Sequence, residues 1–212
     1  MATGLLALLG AHSGNAGEIL GQKSLGFEMI YTDYEAGPID FDGYGAALSY
    51  DTPVFTDESW GSADLNLEFL YGQDNEDDVD GTEYRLLVET TLYRPVNEAL
   101  IGFLKLGGGY TWADLSAIMA YGPYGEAYMV SASDDYFFYR AGVGVDMMIS
   151  EGVGSYVMAY YEDYESASGT WFFEAAIDWD VASNSSIRSS INYSDDSGNE
   201  VWEARLGYYH KF

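Results

Sequence analysis

The stretch Ser62-Ala63-Asp64-Leu65-Asn66-Leu67-Glu68-Phe69-Leu70-Tyr71 decides the fold. One set of alternate positions carries Ala63, Leu65, Leu67, Phe69 and Tyr71, and the other carries Ser62, Asp64, Asn66 and Glu68. Neighbouring side chains of a strand point to opposite faces, so this period of two predicts a strand lying between unlike environments. The pattern returns along the chain. Between Glu83 and Leu92, the residues Tyr84, Leu86, Val88 and Leu92 oppose Glu83, Arg85 and Glu89. From Leu104 to Trp112, Leu104, Leu106, Tyr110 and Trp112 oppose Lys105, Gly107, Gly109 and Thr111. From Tyr136 onward, Phe137, Tyr139, Ala141, Val143, Val145 and Met147 alternate with Phe138, Arg140, Gly142, Gly144 and Asp146. Trp171, Phe173, Ala175, Ile177 and Trp179 alternate with Glu174, Ala176 and Asp178, and Trp202, Ala204, Leu206, Tyr208 and Phe212 with Glu203, Arg205, Gly207 and Lys211.

Four further stretches, 23–34, 39–50, 155–164 and 185–194, carry aromatic or small residues on both faces. Counting them gives ten strands of roughly 10–12 residues, near the length a tilted membrane strand needs. Eight strands is the alternative if some of the four are not strands. No repeat, linker or change of composition divides residues 17–212, which read as a single domain. One set of connections falls at 51–60, 94–98, 150–154 and 181–185, and the other at 35–38, 72–81, 114–135, 165–169 and 195–199. Residues 1–16 combine an apolar run, Leu5–Leu9, with small residues at Gly14 and Ala16, the layout of a signal peptide, although no Lys or Arg precedes the run. A short N-terminal helix is the other reading of that segment.

Composition narrows the function classes. The 212 residues include 8 Lys and Arg against 35 Asp and Glu, a formal net charge of -27. Phosphate binding needs clustered cations, so nucleic acid is not expected as a partner. With no Cys, there is neither a disulfide framework nor a thiolate nucleophile. A hydrophobic share of 48% and an aromatic share of 17% exclude a disordered acidic chain.

The environment of each face follows from where particular residues fall. Tyr71, Tyr84, Tyr110, Trp112, Phe137, Tyr139, Trp171, Phe173 and Trp202 cluster toward one end of their strands, and Trp179, Tyr208 and Phe212 toward the other. Aliphatic residues such as Leu67, Leu86, Val88, Val143 and Ile177 fill the middles. Tyr and Trp settle at a membrane–water boundary, where the ring is sheltered and its polar tip stays wet. The apolar face therefore points to lipid and the ionic face to an enclosed lumen. Arg85, Lys105, Arg140, Arg188 and Arg205 are expected to form a lumen charge network there, together with Glu68, Glu83, Glu89, Asp146, Glu174, Asp178 and Glu203.

The chain closes on Arg205-Leu206-Gly207-Tyr208-Tyr209-His210-Lys211-Phe212. This ending resembles the carboxyl-terminal β-signal of bacterial outer-membrane β-barrel proteins, with Arg205, Gly207, His210 and Phe212 at the signal positions. His210 departs from that pattern, where Tyr or Phe is usual. In size and layout the chain is similar to the small OmpA/OmpX-type barrels. The resemblance implies a location in the bacterial outer membrane, contact with its lipid, and recognition of the last strand by the barrel-assembly machinery.

Catalytic chemistry finds little support. The two histidines are His12, in the leader-like segment, and His210, in the terminal strand, so neither is placed to serve as the base of a hydrolase. Glu76-Asp77-Asp78-Val79-Asp80-Gly81 resembles the start of a calcium loop, with Glu76, Asp78 and Asp80 as its ligand candidates. Loop position twelve is Leu87 where a Glu is required, which favours a solvated acidic loop and no metal site. No cofactor is expected.

The expectation is an all-β, antiparallel up-and-down transmembrane β-barrel of ten strands, monomeric and non-catalytic, with a largely side-chain-filled lumen. Its role is structural or surface-interacting, with divalent cations bridging acidic external loops. A small cation-preferring channel is the alternative, and a secreted soluble β-barrel or sandwich binder the third reading.

Overall fold

The structure, a computed structural model, describes residues 20–36, 39–57, 61–76, 79–121, 127–165, 167–196 and 199–212. At 36, 39–41, 74–76, 79–80, 115–121, 127–132, 167–168, 196 and 199 it describes the backbone only. The leader-like residues 1–16 lie outside the described residues. So do Asp78 and the side chains of Glu76 and Asp80.

Ten strands follow one another around a closed barrel: β1 (Ser24–Ala36), β2 (Ile39–Asp57), β3 (Gly61–Glu76), β4 (Val79–Asn97), β5 (Leu100–Tyr121), β6 (Ala127–Ser150), β7 (Val153–Tyr164), β8 (Ala167–Ala182), β9 (Ser185–Asp196) and β10 (Asn199–Lys211). Each pairs antiparallel with its neighbours, and β10 closes on β1 with Ser24 opposite Lys211 and Ala36 opposite Asn199. All four stretches with weak facial contrast are strands, so the count is ten and not eight. Closure leaves no open edge along the shared height of the wall, as lipid requires of a backbone that it cannot solvate.

The strands are longer than the alternation implied, 12 to 24 residues each. Residues 114–135, expected as a connection, are mostly hairpin, because β5 runs to Tyr121 and β6 begins at Ala127. Backbone pairing between antiparallel neighbours continues past the lipid belt, where alternation is no longer demanded of the side chains. The pairing of β6 with β7 begins only at Phe138 opposite Tyr164, so the β5–β6 hairpin projects beyond that neighbour. Likewise β2 continues to Asp57 across a register shift between Pro53 and Phe55, which reduces the expected 51–60 connection to 58–60. The expected 72–81 connection shrinks to 77–78 in the same way.

The two ends can be told apart. At one, termed the turn end, lie both ends of the barrel sequence, Lys23 and Phe212, together with the connections 151–152 and 183–184. The projecting β5–β6 hairpin marks the other, the loop end.

Side-chain orientation is inverted relative to a water-soluble core. Leu67, Val143 and Ile177 are 38%, 61% and 39% exposed, while Glu89, Glu162 and Asp178 are at most 2% exposed. Aromatic rings meet on the outside near the loop end, with centroids 5.3 Å apart for Tyr71–Tyr84, 4.6 Å for Tyr110–Phe137 and 4.5 Å for Tyr193–Trp202. Trp179, Tyr208 and Phe212 are exposed toward the turn end. An apolar band between two aromatic girdles is the exterior of a membrane barrel.

Candidate functional site: a two-level closure of the lumen

Ionic residues meet in the middle of the lumen. Glu162 on β7 accepts hydrogen bonds from Arg140 Nε at 2.7 Å and Tyr164 Oη at 2.7 Å, and from Arg85 of β4. Arg140 also lies 3.7 Å from Glu89, which Lys105 approaches at 3.0 Å. On the other side of the lumen, Arg205 Nη1 sits 3.1 Å from both Glu28 and Glu68, and its Nε donates to Glu203 at 2.7 Å. Three of these pairs join strands that are not neighbours: Arg85–Glu162 links β4 to β7, Arg205–Glu68 links β10 to β3, and Arg140–Glu89 links β6 to β4. Such pairs cross the lumen. Guanidinium faces add to the packing, with Arg85 stacked 3.9 Å from the Phe138 ring centroid and Arg140 4.3 Å from that of Tyr160.

The strand backbones make room for these rings at chosen positions. A Cβ at Gly109 would collide with the ring of Phe138, and one at Gly144 with the ring of Phe103. The lumen-facing glycines of β5 and β6 thus relieve crowding.

Below this waist, toward the turn end, the lining changes character. Tyr93, Phe103, Tyr156 and Met158 are buried together, and Leu20, ahead of β1, is buried among them. The chain is held there by Gly21, whose backbone N donates to Asp64 Oδ2 at 2.6 Å, while Tyr93 Oη donates to Asp64 Oδ1 at 3.2 Å. Gly21 has a φ of 80°, and a Cβ there would come 2.9 Å from the Tyr93 hydroxyl, so glycine alone permits this entry at low strain. This apolar floor had no counterpart in the sequence reading, which singled out only the ionic residues of the lumen.

Waist and floor bound two cavities. The lower one, about 80 Å³, lies between them, and the upper one, about 320 Å³, opens toward the loop end. Arg140, Tyr160, Asn192, Glu203 and Arg205 line both and form the partition. Asn192 donates to the Tyr160 hydroxyl at 2.6 Å within it.

Every residue expected in the charge network lines one of the two cavities or pairs with one that does. Arg188 lies 3.3 Å from Asp178, which also accepts from Ser186 at 3.2 Å. Glu174 accepts from the Tyr156 hydroxyl. Glu83 lines the upper cavity, and Asp146 is buried in the lower. Glu28 and Glu162, central to the waist, were missed; both lie on strands without polar–apolar contrast. Of the β-signal positions, Arg205 and Gly207 face the lumen. A Cβ at Gly207 would come 2.9 Å from both Glu28 and the Tyr209 ring. His210 packs edge-on against Phe212, 4.9 Å between centroids.

A closed antiparallel barrel with a greasy outside and a packed ionic inside defines the class as a β-barrel of the outer-membrane type. The chain belongs to the family described as Domain of unknown function (DUF7840), which matches residues 46–210. No curated protein matches it. Among solved structures, the β domain of the Bordetella autotransporter Brka is similar over 90% of this chain and 100% of its own, with a TM-score of 0.55 and 11% identity. The transport unit of the autotransporter AIDA-I from Escherichia coli covers 100% of this chain and 97% of its own, with a TM-score of 0.54 and 12% identity. The translocator domain of the autotransporter NalP from Neisseria meningitidis covers 99% and 94%, with a TM-score of 0.50 and 9% identity. At these identities the likeness is one of fold.

Proposed function

We propose that this chain is an integral, monomeric barrel of the bacterial outer membrane that performs no catalysis. It keeps its lumen shut and turns its acidic loop end outward as a structural or surface-interacting face. The observation that carries this reading is a pair of trans-lumen bridges, Arg85–Glu162 and Arg205–Glu68, set above an apolar floor. The turn end then lies in the periplasm, because the long β5–β6 hairpin projects from the other end and outer-membrane barrels carry their longer loops outside. Within the same reading, β10 is the strand offered to the barrel-assembly machinery. Divalent cations screen the external carboxylates, which at a net charge of -27 would otherwise repel anionic headgroups.

Planar-bilayer recordings of the purified barrel test the closure. Silence is the expected result, and steady conductance would replace this reading with the second one. That second reading, a small cation-preferring channel, draws support from the carboxylates Asp51 and Asp64 lining the lower cavity. Heat-modifiable mobility on a detergent gel checks the membrane assignment itself.

A further inference from the structure

Six of the eight Lys and Arg residues are paired within the lumen: Arg85, Lys105, Arg140, Arg188, Arg205 and Lys211. The remaining two, Lys23 and Arg94, both lie on the outside near the turn end. Lys23 has aromatic company, with its Nζ 6.0 Å from the Tyr50 ring and 5.8 Å from that of Phe212. Arg94 is exposed, and among the described residues no side chain forms an ion pair or hydrogen bond with it.

Around Arg94 the barrel wall is hollowed. Gly102 stands opposite it on β5, and a Cβ built on Gly61 of β3 would lie 3.5 Å from Arg94 Cβ. Phe55, Ala63, Leu92 and Leu104 continue the surface toward the membrane and enclose with the glycines a groove of about 520 Å³. Gly61 has a φ of 105°, so the smallness of this position is also a backbone requirement. The result is an apolar trough open to the exterior, with a guanidinium at its water-side end that none of the described residues pairs.

We infer that this groove is a binding site for one anionic phospholipid, with an acyl chain along Phe55, Leu92 and Leu104 and the headgroup phosphate on Arg94. Charge complementarity selects the occupant. On a strongly acidic chain, a cation without a partner among the described residues, set beside an apolar trough, suits an anion that carries hydrocarbon, and a planar guanidinium can donate two parallel hydrogen bonds to a phosphate. Asp57 of β2 stands opposite Gly61, and Glu98 follows β4 in the connection to β5, so carboxylates border the guanidinium and the headgroup approaches it from the membrane side. The site rests on the membrane reading above.

Native mass spectrometry of the full chain in detergent tests it, with phosphatidylglycerol and phosphatidylcholine as probes. The expected result is one phosphatidylglycerol retained about fivefold better than phosphatidylcholine, the preference that a single interfacial Arg confers. Arg94→Gln removes the preference, Arg94→Lys keeps part of it, and Lys23→Gln leaves it intact. Gly102→Leu fills the trough and lowers retention of both lipids. Excess inorganic phosphate leaves the lipid bound. Equal retention of the two lipids, an unchanged preference in Arg94→Gln, or displacement by inorganic phosphate overturns the site. Heat-modifiable mobility of the same samples separates the two failures. A heat-modifiable barrel without lipid preference loses the site alone, whereas a chain soluble without detergent and insensitive to heating loses the membrane reading as well.

Discussion

The waist and the floor close the same lumen by opposite chemistry. At the waist, charges removed from water hold one another. Glu162 alone serves Arg85, Arg140 and Tyr164, and Arg205 alone joins Glu28, Glu68 and Glu203. At the floor, Leu20 is covered by Tyr93, Phe103, Tyr156 and Met158, and one carboxylate, Asp64, ties the entering backbone down. An ionic partition is directional and fails badly when one member is lost, because the survivors are stranded as buried charges. An apolar cluster is non-directional and fails in proportion to the volume removed. The molecule therefore has one seal that is brittle and one that is graded.

The sharpest way to break this contrast is Glu162→Ala. It leaves Arg85 and Arg140 without their shared carboxylate and should cost about 3–5 kcal/mol, read from urea unfolding in vesicles. Replacing one of the two cations as well, in Arg85→Met with Glu162→Met, should recover part of that loss. If the double replacement costs as much as the single, the waist is not an ionic unit. At the floor, Phe103→Ala should cost about 3 kcal/mol through the cavity it leaves, with little dependence on salt. Leu20→Ala should cost about 2 kcal/mol, at the low end for a buried leucine because it precedes the first strand. A Val143→Arg substitution at mid-height on the outside serves as the external reference, with an expected cost of about 2–4 kcal/mol that a soluble barrel would not show. The smallest effect concerns conduction. With the seals in series, Leu20→Ala alone should leave bilayer recordings silent, and conductance should appear only when Arg85→Ser and Glu162→Ser are added.

The floor also shows where reading the chain falls short. Period-two alternation marks a residue as facing in or out, and it located Arg85, Lys105, Arg140 and Arg205 because each stands in a row of charged or small residues opposite an apolar row. On β7 the inward row Tyr156, Met158 and Tyr160 resembles the outward row Val157, Ala159 and Tyr161 in polarity, so the lumen-facing Glu162 had no contrast to reveal it. Glu28 on β1 sits between Phe27 and Met29, but Gly26 and Ile30 share its inward face and dilute the signal in the same way. Leu20 could not have been found by periodicity, since it precedes the strands and its burial depends on the cup that β4, β5 and β7 form together. The strand ends were underestimated for a related reason. Hydrogen bonding between hairpin arms extends into water, where no face needs to be apolar, as at Tyr121 and Ala127.

Arg205 has one more consequence, for how the cylinder shuts. It stands on β10 and reaches Glu28 on β1, across the seam at which the barrel closes. A slip of one residue at that seam would turn every side chain of β10 to the wrong face. A slip of two would preserve the faces and escape any check based on greasiness, yet it would draw Arg205 about 7 Å away from Glu28 and Glu68. The guanidinium thus proofreads the join, admitting the one alignment in which the first and last strands neutralise each other.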